Sequence, residues 1–285
     1  MAIQSIGIVG SGIMGSGVAE VAAKAGIDVV LRSRKQESAD AMVAGLAKSL
    51  DRQVDKGRLE AAERDAVLGR VTATSALADL ADCDLVLESV VEDLAVKKDL
   101  FDDLDRVCKE GAILATNTST LPVVEMAMET GRPDRVVGVH FFNPAPAMGL
   151  VEVVRPLTAS DETVAEVRAF AEACGKTPVE VKDRAGFIVN ALLFPYLNNA
   201  VRMLENGTAS AEDIDAAMQG GCNFPMGPLA LLDLVGLDTS VAILDALYAE
   251  FRDPNYATVP LLRRMVTAGQ LGRKSGQGFY GYAKR

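Results

Sequence analysis

The chain carries one histidine in 285 residues, His140. It follows the apolar run 136–139 and lies in the stretch 138–152, which reads GVHFFNPAPAMGLVE. Imidazole is the side chain whose ordinary pKa, about 6.5, lets it take or give a proton near neutrality. Beyond it, Pro144 and Pro146 force an extended turn, because the residue before a proline is pushed out of the helical region. A second apolar run, 150–154, holds one carboxylate, Glu152. A carboxylate inside a buried strand is costly unless paired. His140 is its natural partner: the acid would orient the ring and stabilise its cation. The pair is a candidate for general acid–base chemistry. Taken alone, it reads equally as a core histidine at a strand end and a glutamate on a sheet edge.

A second cluster stands at the start of the chain. Gly10, Ser11, Gly12, Ile13, Met14 and Gly15 spell G-x-G-x-x-G. A strand is predicted over 3–9, a helix to about residue 25 and a second strand over 28–31, the context that separates this motif from an ordinary turn. The first glycine permits the tight turn. The second lets a pyrophosphate approach the backbone, and the third lets the helix lie close to the strand. Helix N–H groups and dipole then face the phosphates. The second strand of such units usually ends in an acid that binds the ribose 2′-hydroxyl. Here it ends Leu31-Arg32-Ser33-Arg34-Lys35. With cations flanking Ser33, the turn predicts NADP(H) ahead of NAD(H). The alternative is a solvated basic turn.

The elements that must position these residues alternate. Strands are predicted over 71–74, 84–90, 112–116, 136–141, 150–154 and 178–181, with helices between most of them. That order argues for an α/β fold, a Rossmann-type doubly wound, mostly parallel sheet. Ligands of such sheets sit beyond the carboxyl ends of the strands. Glu92, the turn 117–120 and His140 then share one rim. Ser119 has another reading, as the cap of the helix that Pro122 begins. Residues 37–66 form an insertion of two helices, one to about 54 and one from about 60. It holds Ser49, Arg52, Lys56 and Arg58, by themselves a solvated helix face. From 185 the pattern becomes wholly helical. This divides the chain into a dinucleotide-binding domain, 1–184, and an all-α domain, 185–285. Pro195 suggests a kink, 210–213 a capping box, and 272–278 a glycine loop around Lys274 that either closes on a ligand or ends the chain loosely. The helical part is apolar enough to expect a homodimer.

Composition narrows the partners. Formal net charge is -10 and the pI about 4.8, so nucleic acid and anionic membranes are not expected to bind. Cys83, Cys108, Cys174 and Cys222 are far apart and form no C-x-x-C. They read as reduced core thiols of a cytoplasmic protein, with no metal site. No signal peptide or membrane span is expected.

Together, GSGIMGSG, NTST, HFFNPAPAMGLVEVV, KDRAGFIVN, PMGPLALLDLVGLDT and GRKSGQGFY resemble the short-chain L-3-hydroxyacyl-CoA dehydrogenases, in order and nearly end to end. The resemblance implies a 3-hydroxyacyl-CoA dehydrogenase of the bacterial 3-hydroxybutyryl type, with His140 catalytic and Glu152 orienting it. It places substrate contacts on Ser119 and Asn190, and cofactor contacts on the glycine loop, Glu92, Lys97, Ser119, Asn143 and Lys274. Coenzyme A contacts fall on Ser49 and Lys56. The family's usual Asp falls on Ser33, which departs in the direction the cations suggest. Two other readings remain at this point: a hydroxy-acid dehydrogenase that does not use coenzyme A, and a catalytically silent dinucleotide-binding protein.

Overall fold

The computed structural model describes residues 3–283 and divides the chain into two compact units, 1–183 and 184–285; residues 1, 2, 284 and 285 lie outside the described residues. The first unit is built on one eight-stranded sheet. Its strands are β1 (Ser5–Val9), β2 (Asp28–Arg32), β3 (Val71–Thr74), β4 (Leu85–Glu88), β5 (Ile113–Thr116), β6 (Val136–Phe141), β7 (Leu150–Arg155) and β8 (Thr177–Lys182). Their spatial order is β3-β2-β1-β4-β5-β6-β7-β8. The first six run parallel, as expected of strands buried on both faces: Ile6, Ile8, Leu31, Leu85, Leu87 and Ile113 are fully covered. The helix α1 (Ile13–Lys24) joins β1 to β2, and its small residues Gly15, Ala19, Ala22 and Ala23 are buried against the sheet.

Between β2 and β3 stand the two helices expected of the insertion, α2 (Gln36–Asp55) and α3 (Ala61–Gly69). In α2, Ala39, Met42, Leu46 and Leu50 recur at helical spacing and form the buried stripe. The helices α4 (Leu94–Val107) and α5 (Val123–Ala127) follow β4 and β5. Strand β7 departs from the rest: it pairs antiparallel with β6. A parallel return needs a crossover of a dozen or more residues, and only residues 142–149 join these two strands. The helix α6 (Asp161–Ala173) is long enough, so β8 runs parallel to β7.

The second unit is helical: α7 (Val189–Glu205), α8 (Ala211–Cys222), α9 (Pro228–Val235), α10 (Leu237–Phe251) and α11 (Pro260–Thr267). Pro195 lies inside α7, and Ser210 caps α8 by accepting from the Asp213 N–H. The capping box is not reciprocal, because the Asp213 carboxylate accepts from the Ser210 hydroxyl instead. The tail is not loose. The buried Asp233 carboxylate accepts from the N–H groups of Phe279 and Tyr280 and from the Tyr282 hydroxyl. A Cβ on Gly278 would lie 2.0 Å from Asp233 Oδ1, so the loop is packed onto that aspartate. Core placement holds for Cys83 and Cys108, whose thiols burial pushes up to about 12 and about 11. It does not hold for Cys222, which is exposed at the end of α8.

Candidate active site

The antiparallel return of β7 puts His140 and Glu152 opposite each other in the ladder. Directly paired residues on one face bring their side chains into contact. His140 Nδ1 lies 2.7 Å from Glu152 Oε2, with both residues buried. A carboxylate only accepts, so Nδ1 is the donor in this bond, and in the neutral ring the lone pair is then on Nε2. Nε2 is 3.1 Å from the Ser119 hydroxyl. Ser119, His140 and Glu152 form one hydrogen-bonded chain. Ser119 is therefore not the helix cap. Pro122 stands at that position, and the N–H groups of Val123 and Val124 donate to the Asp183 carboxylate, at 3.0 and 2.8 Å.

Ser119 is held from behind. Its N–H donates to Glu92 Oε1 at 3.0 Å, and the Thr118 hydroxyl donates to the same oxygen. Burial alone would raise the Glu92 carboxyl. The Lys97 ammonium and the Thr118 and Ser119 donors outweigh it and hold the group below the usual carboxylate range. Lys97 is 1% exposed. Its ammonium lies 2.8 Å from both oxygens of the fully buried Glu88 and 3.2 Å from Glu92. Glu88 also accepts from the Thr116 hydroxyl and the Val90 N–H. The resemblance implies a cofactor contact at Lys97, whose side chain is enclosed by the carboxylates of Glu88 and Glu92. Glu88 was missed, although an acid ending the apolar β4 was the signal. On the other side of His140, Asn117 Oδ1 accepts from the Phe141 N–H at 2.8 Å. The loop beyond β6, with Asn143 exposed in it, is tied down by Lys176. That buried ammonium donates to the carbonyls of Ala145 and Met148, each at 2.8 Å.

A crevice of about 520 Å³ opens beyond the carboxyl ends of β1, β2 and β4, lined by Gly10, Ser11, Gly12, Arg32, Ser33 and Arg34 among others. The residues fit a dinucleotide. A Cβ on Gly10 would lie 2.1 Å from the Ser89 carbonyl oxygen and one on Gly15 2.6 Å from that of Gly10, whereas Gly12 has no such neighbour within 4 Å. The first and third glycines are thus packing requirements and the second leaves the backbone open to a ligand. Ile13 and Met14 begin α1, whose N-terminus has no side-chain cap, leaving its N–H groups for phosphate. Ser33 is buried and its N–H donates to the Thr74 carbonyl; Arg34 and Lys35 are exposed. Arg32 Nε is buried without a hydrogen-bond partner. Burial and the neighbouring Arg34 charge lower its pKa.

A second opening, about 590 Å³, lies between α1 and α2 and is lined by Gly12, Glu20, Met42, Leu46 and Ser49 among others. Ser49 is half-buried there, and Lys56 is exposed at the end of α2. In the second unit, Asn190 is buried in the first turn of α7, and Lys274 pairs with Asp238 at 2.7 Å.

Comparison with known proteins agrees with this architecture. Residues 5–184 match the 3-hydroxyacyl-CoA dehydrogenase NAD binding domain and residues 186–282 the 3-hydroxyacyl-CoA dehydrogenase C-terminal domain. The chain belongs to the 3-hydroxyacyl-CoA dehydrogenase family. Among its relatives, a 3-hydroxybutyryl-CoA dehydrogenase of Mycobacterium tuberculosis is 50% identical over 99% of both chains. One of Clostridioides difficile is 48% identical over 99% of this chain and 100% of its own. The crystal structure of (S)-3-hydroxybutyryl-CoA dehydrogenase from Ralstonia eutropha superposes with a TM-score of 0.97, at 43% identity over 99% of this chain and 100% of that one. As a 3-hydroxyacyl-CoA dehydrogenase the chain is an oxidoreductase with a nicotinamide-binding Rossmann domain. Among the described residues no His, Cys, Asp and Glu side chains gather as a metal site, and no helix is long and apolar enough to cross a membrane.

Proposed function

We propose that this 3-hydroxyacyl-CoA dehydrogenase interconverts (S)-3-hydroxybutyryl-CoA and acetoacetyl-CoA. The observation that carries the reading is the chain from Ser119 through both nitrogens of His140 to Glu152. The nicotinamide, when bound, accepts or supplies the hydride at C3. In the oxidation, His140 Nε2 takes the proton of the 3-hydroxyl; in the reduction, the imidazolium returns it to the developing alkoxide. Glu152 holds the ring in the tautomer that leaves Nε2 able to accept, and stabilises its positive charge. When the substrate's oxygen takes its place at Nε2, the Ser119 hydroxyl is released from that nitrogen and donates to the reacting oxygen as negative charge builds there, and Asn190 donates to the thioester oxygen. Ser49 and Lys56 hold the coenzyme A portion. Glu92, Asn143 and Lys274 serve the cofactor, and Lys97 serves it through Glu92. The relatives named 3-hydroxybutyryl-CoA dehydrogenase support the substrate. Cofactor oxidation with acetoacetyl-CoA against free acetoacetate tests it. Turnover of the thioester alone is the expected result, and equal turnover of the free acid would replace it with a hydroxy-acid dehydrogenase.

The preferred cofactor is NADP(H). An Asp at position 33 would repel a 2′-phosphate; Ser33 does not, and it lines the crevice between Arg32 and Arg34. The unpartnered Arg32 Nε supports this, since a buried donor without an acceptor suits an anionic ligand. One charge-assisted contact, about 1.5–3 kcal/mol, corresponds to roughly ten- to a hundredfold. In kcat/KM for NADPH against NADH, Ser33→Asp removes most of that preference, and Arg34→Ala weakens NADPH alone. A parent enzyme that favours NADH would show the basic turn to be solvated.

The helical unit forms the homodimer. Leu192, Phe224 and Leu234 are 72%, 42% and 50% exposed. Leu192 and Phe224 line an apolar groove of about 690 Å³ together with Ile188, Tyr196 and Met226 among others. Exposed apolar surface on this scale marks an association site.

A further inference from the structure

The opening between α1 and α2 contains a carboxylate that the sequence did not single out. Glu20, on α1, is 4% exposed. Its Oε1 accepts from Lys24 Nζ at 2.7 Å and from Gln53 Nε2 at 2.8 Å. Its Oε2 is 3.3 Å from the Ser49 hydroxyl. Lys24 also donates to Gln53 Oε1 at 2.7 Å. The arrangement is directional. A carboxylate has no proton to give, so in the Glu20–Ser49 contact the hydroxyl must be the donor. Ser49 has one proton and commits it to Glu20. What remains for a ligand is the oxygen's lone pairs.

We infer that Glu20 sets Ser49 as a hydrogen-bond acceptor, so that Ser49 recognises a neutral N–H or O–H donor of the coenzyme A portion and not one of its phosphates. This rests on the acyl-CoA reading above and assigns the polarity of that subsite. An ionised phosphate offers only acceptors, so it finds no donor on Ser49 once that proton is committed to Glu20. Phosphate has cations nearby instead, among them Lys56, exposed at the end of the same helix. Coenzyme A has suitable donors in two places: the amides and hydroxyl of the pantetheine arm, and the adenosine. The lining around Ser49 includes Ile13, Ala41, Met42 and Leu46, an apolar wall compatible with either.

The test is steady-state kinetics of acetoacetyl-CoA reduction, with Tm recorded for each variant. Turnover by the parent enzyme tests the acyl-CoA reading itself, so its failure is distinct from failure here. With turnover in hand, Ser49→Ala raises KM by about two- to tenfold, the range one neutral hydrogen bond spans, and by more than any fall in kcat. Glu20→Gln keeps the shape and removes the charge; it raises KM by no more than Ser49→Ala does. The double variant is no worse than Ser49→Ala, because Glu20 acts through Ser49. Acetoacetyl-pantetheine distinguishes the two donors: a Ser49→Ala penalty kept with it places the donor on the pantetheine arm, and a penalty seen only with acetoacetyl-CoA places it on the adenosine. Either result supports the proposal when Glu20→Gln behaves as stated. A lower KM for Glu20→Gln, deepening at low salt, would mean that Glu20 repels a phosphate at Ser49 and would overturn it. So would additive penalties, or an unchanged KM in Ser49→Ala.

Discussion

At the scale of single residues, the site depends on who donates to whom. His140 turns Nδ1 to the Glu152 carboxylate and Nε2 to the Ser119 hydroxyl. Replacing His140 with Gln leaves two polar groups but no proton-transfer base. The expected loss in kcat is about 10²- to 10⁴-fold, with cofactor affinity little changed, read by steady-state turnover and by cofactor titration. The thiols give a second check at this scale. Burial is the main reason the Cys83, Cys108 and Cys174 thiols are pushed up, to about 12, about 11 and about 12, so they are almost wholly protonated at neutral pH. Cys222 is exposed. A thiolate reagent at pH 7.5 should label Cys222 first in the native protein and all four once it is unfolded.

At the scale of elements, the rim is held by a buried ion pair and by close packing between strands. Glu88 ends β4 and Lys97 lies in α4, and their buried pair joins the strand to the helix behind the Ser119 turn. Removing one partner strands a buried charge, at a cost of roughly 3–5 kcal/mol. Lys97→Met should therefore lower urea stability by that order and loosen Glu92, raising the KM of the cofactor as well. Joint replacement of Lys97 and Glu88 by apolar residues should recover stability but not the KM. Gly138 is the second such case. It faces Val154 across the antiparallel β6–β7 pair, and a Cβ there would lie 2.6 Å from Val154 Cβ. Gly138→Ala forces the strands apart two residues from His140. Overpacking of this kind costs about 1–3 kcal/mol, measurable in urea, and should lower kcat by shifting the His140–Glu152 contact.

At the scale of the whole molecule, two properties can be checked. Exposed Leu192, Phe224 and Leu234 predict a particle of twice the 30.1 kDa chain mass in sedimentation, and Leu192→Glu should shift it toward the monomer. Alkaline stability depends on the tail. The Tyr280 hydroxyl donates to Asp215 Oδ2 at 2.9 Å. Burial, then that carboxylate, raise its pKa well above the ordinary value of about 10. Below pH 10 the phenol is protonated in both states and its contribution is complete. Above it, the unfolded chain ionises first and gains stability relative to the folded one. Tm should therefore fall above about pH 10, and less steeply in Tyr280→Phe.

By itself the sequence determined what depends on local order. The glycine loop between a strand and a helix, the alternation that makes a doubly wound sheet, and the change to helices after Asp183 are all carried by residues close together in the chain. The His140–Glu152 pair was legible too, because a carboxylate inside an apolar strand needs a partner and the single imidazole lies twelve positions away; the antiparallel return of β7 that sets the two opposite each other belongs to the structure. Tertiary structure alone decided what depends on residues far apart. Ser119 reaches His140 across 21 positions, Asp183 caps α5 from 60 positions away, and Glu20 meets Ser49 across 29. In each case a short polar side chain had several partners within reach of its local pattern. Which one it bonded was set by how strand and helix ends converge once the apolar faces are buried, and sequence spacing carries no record of that convergence.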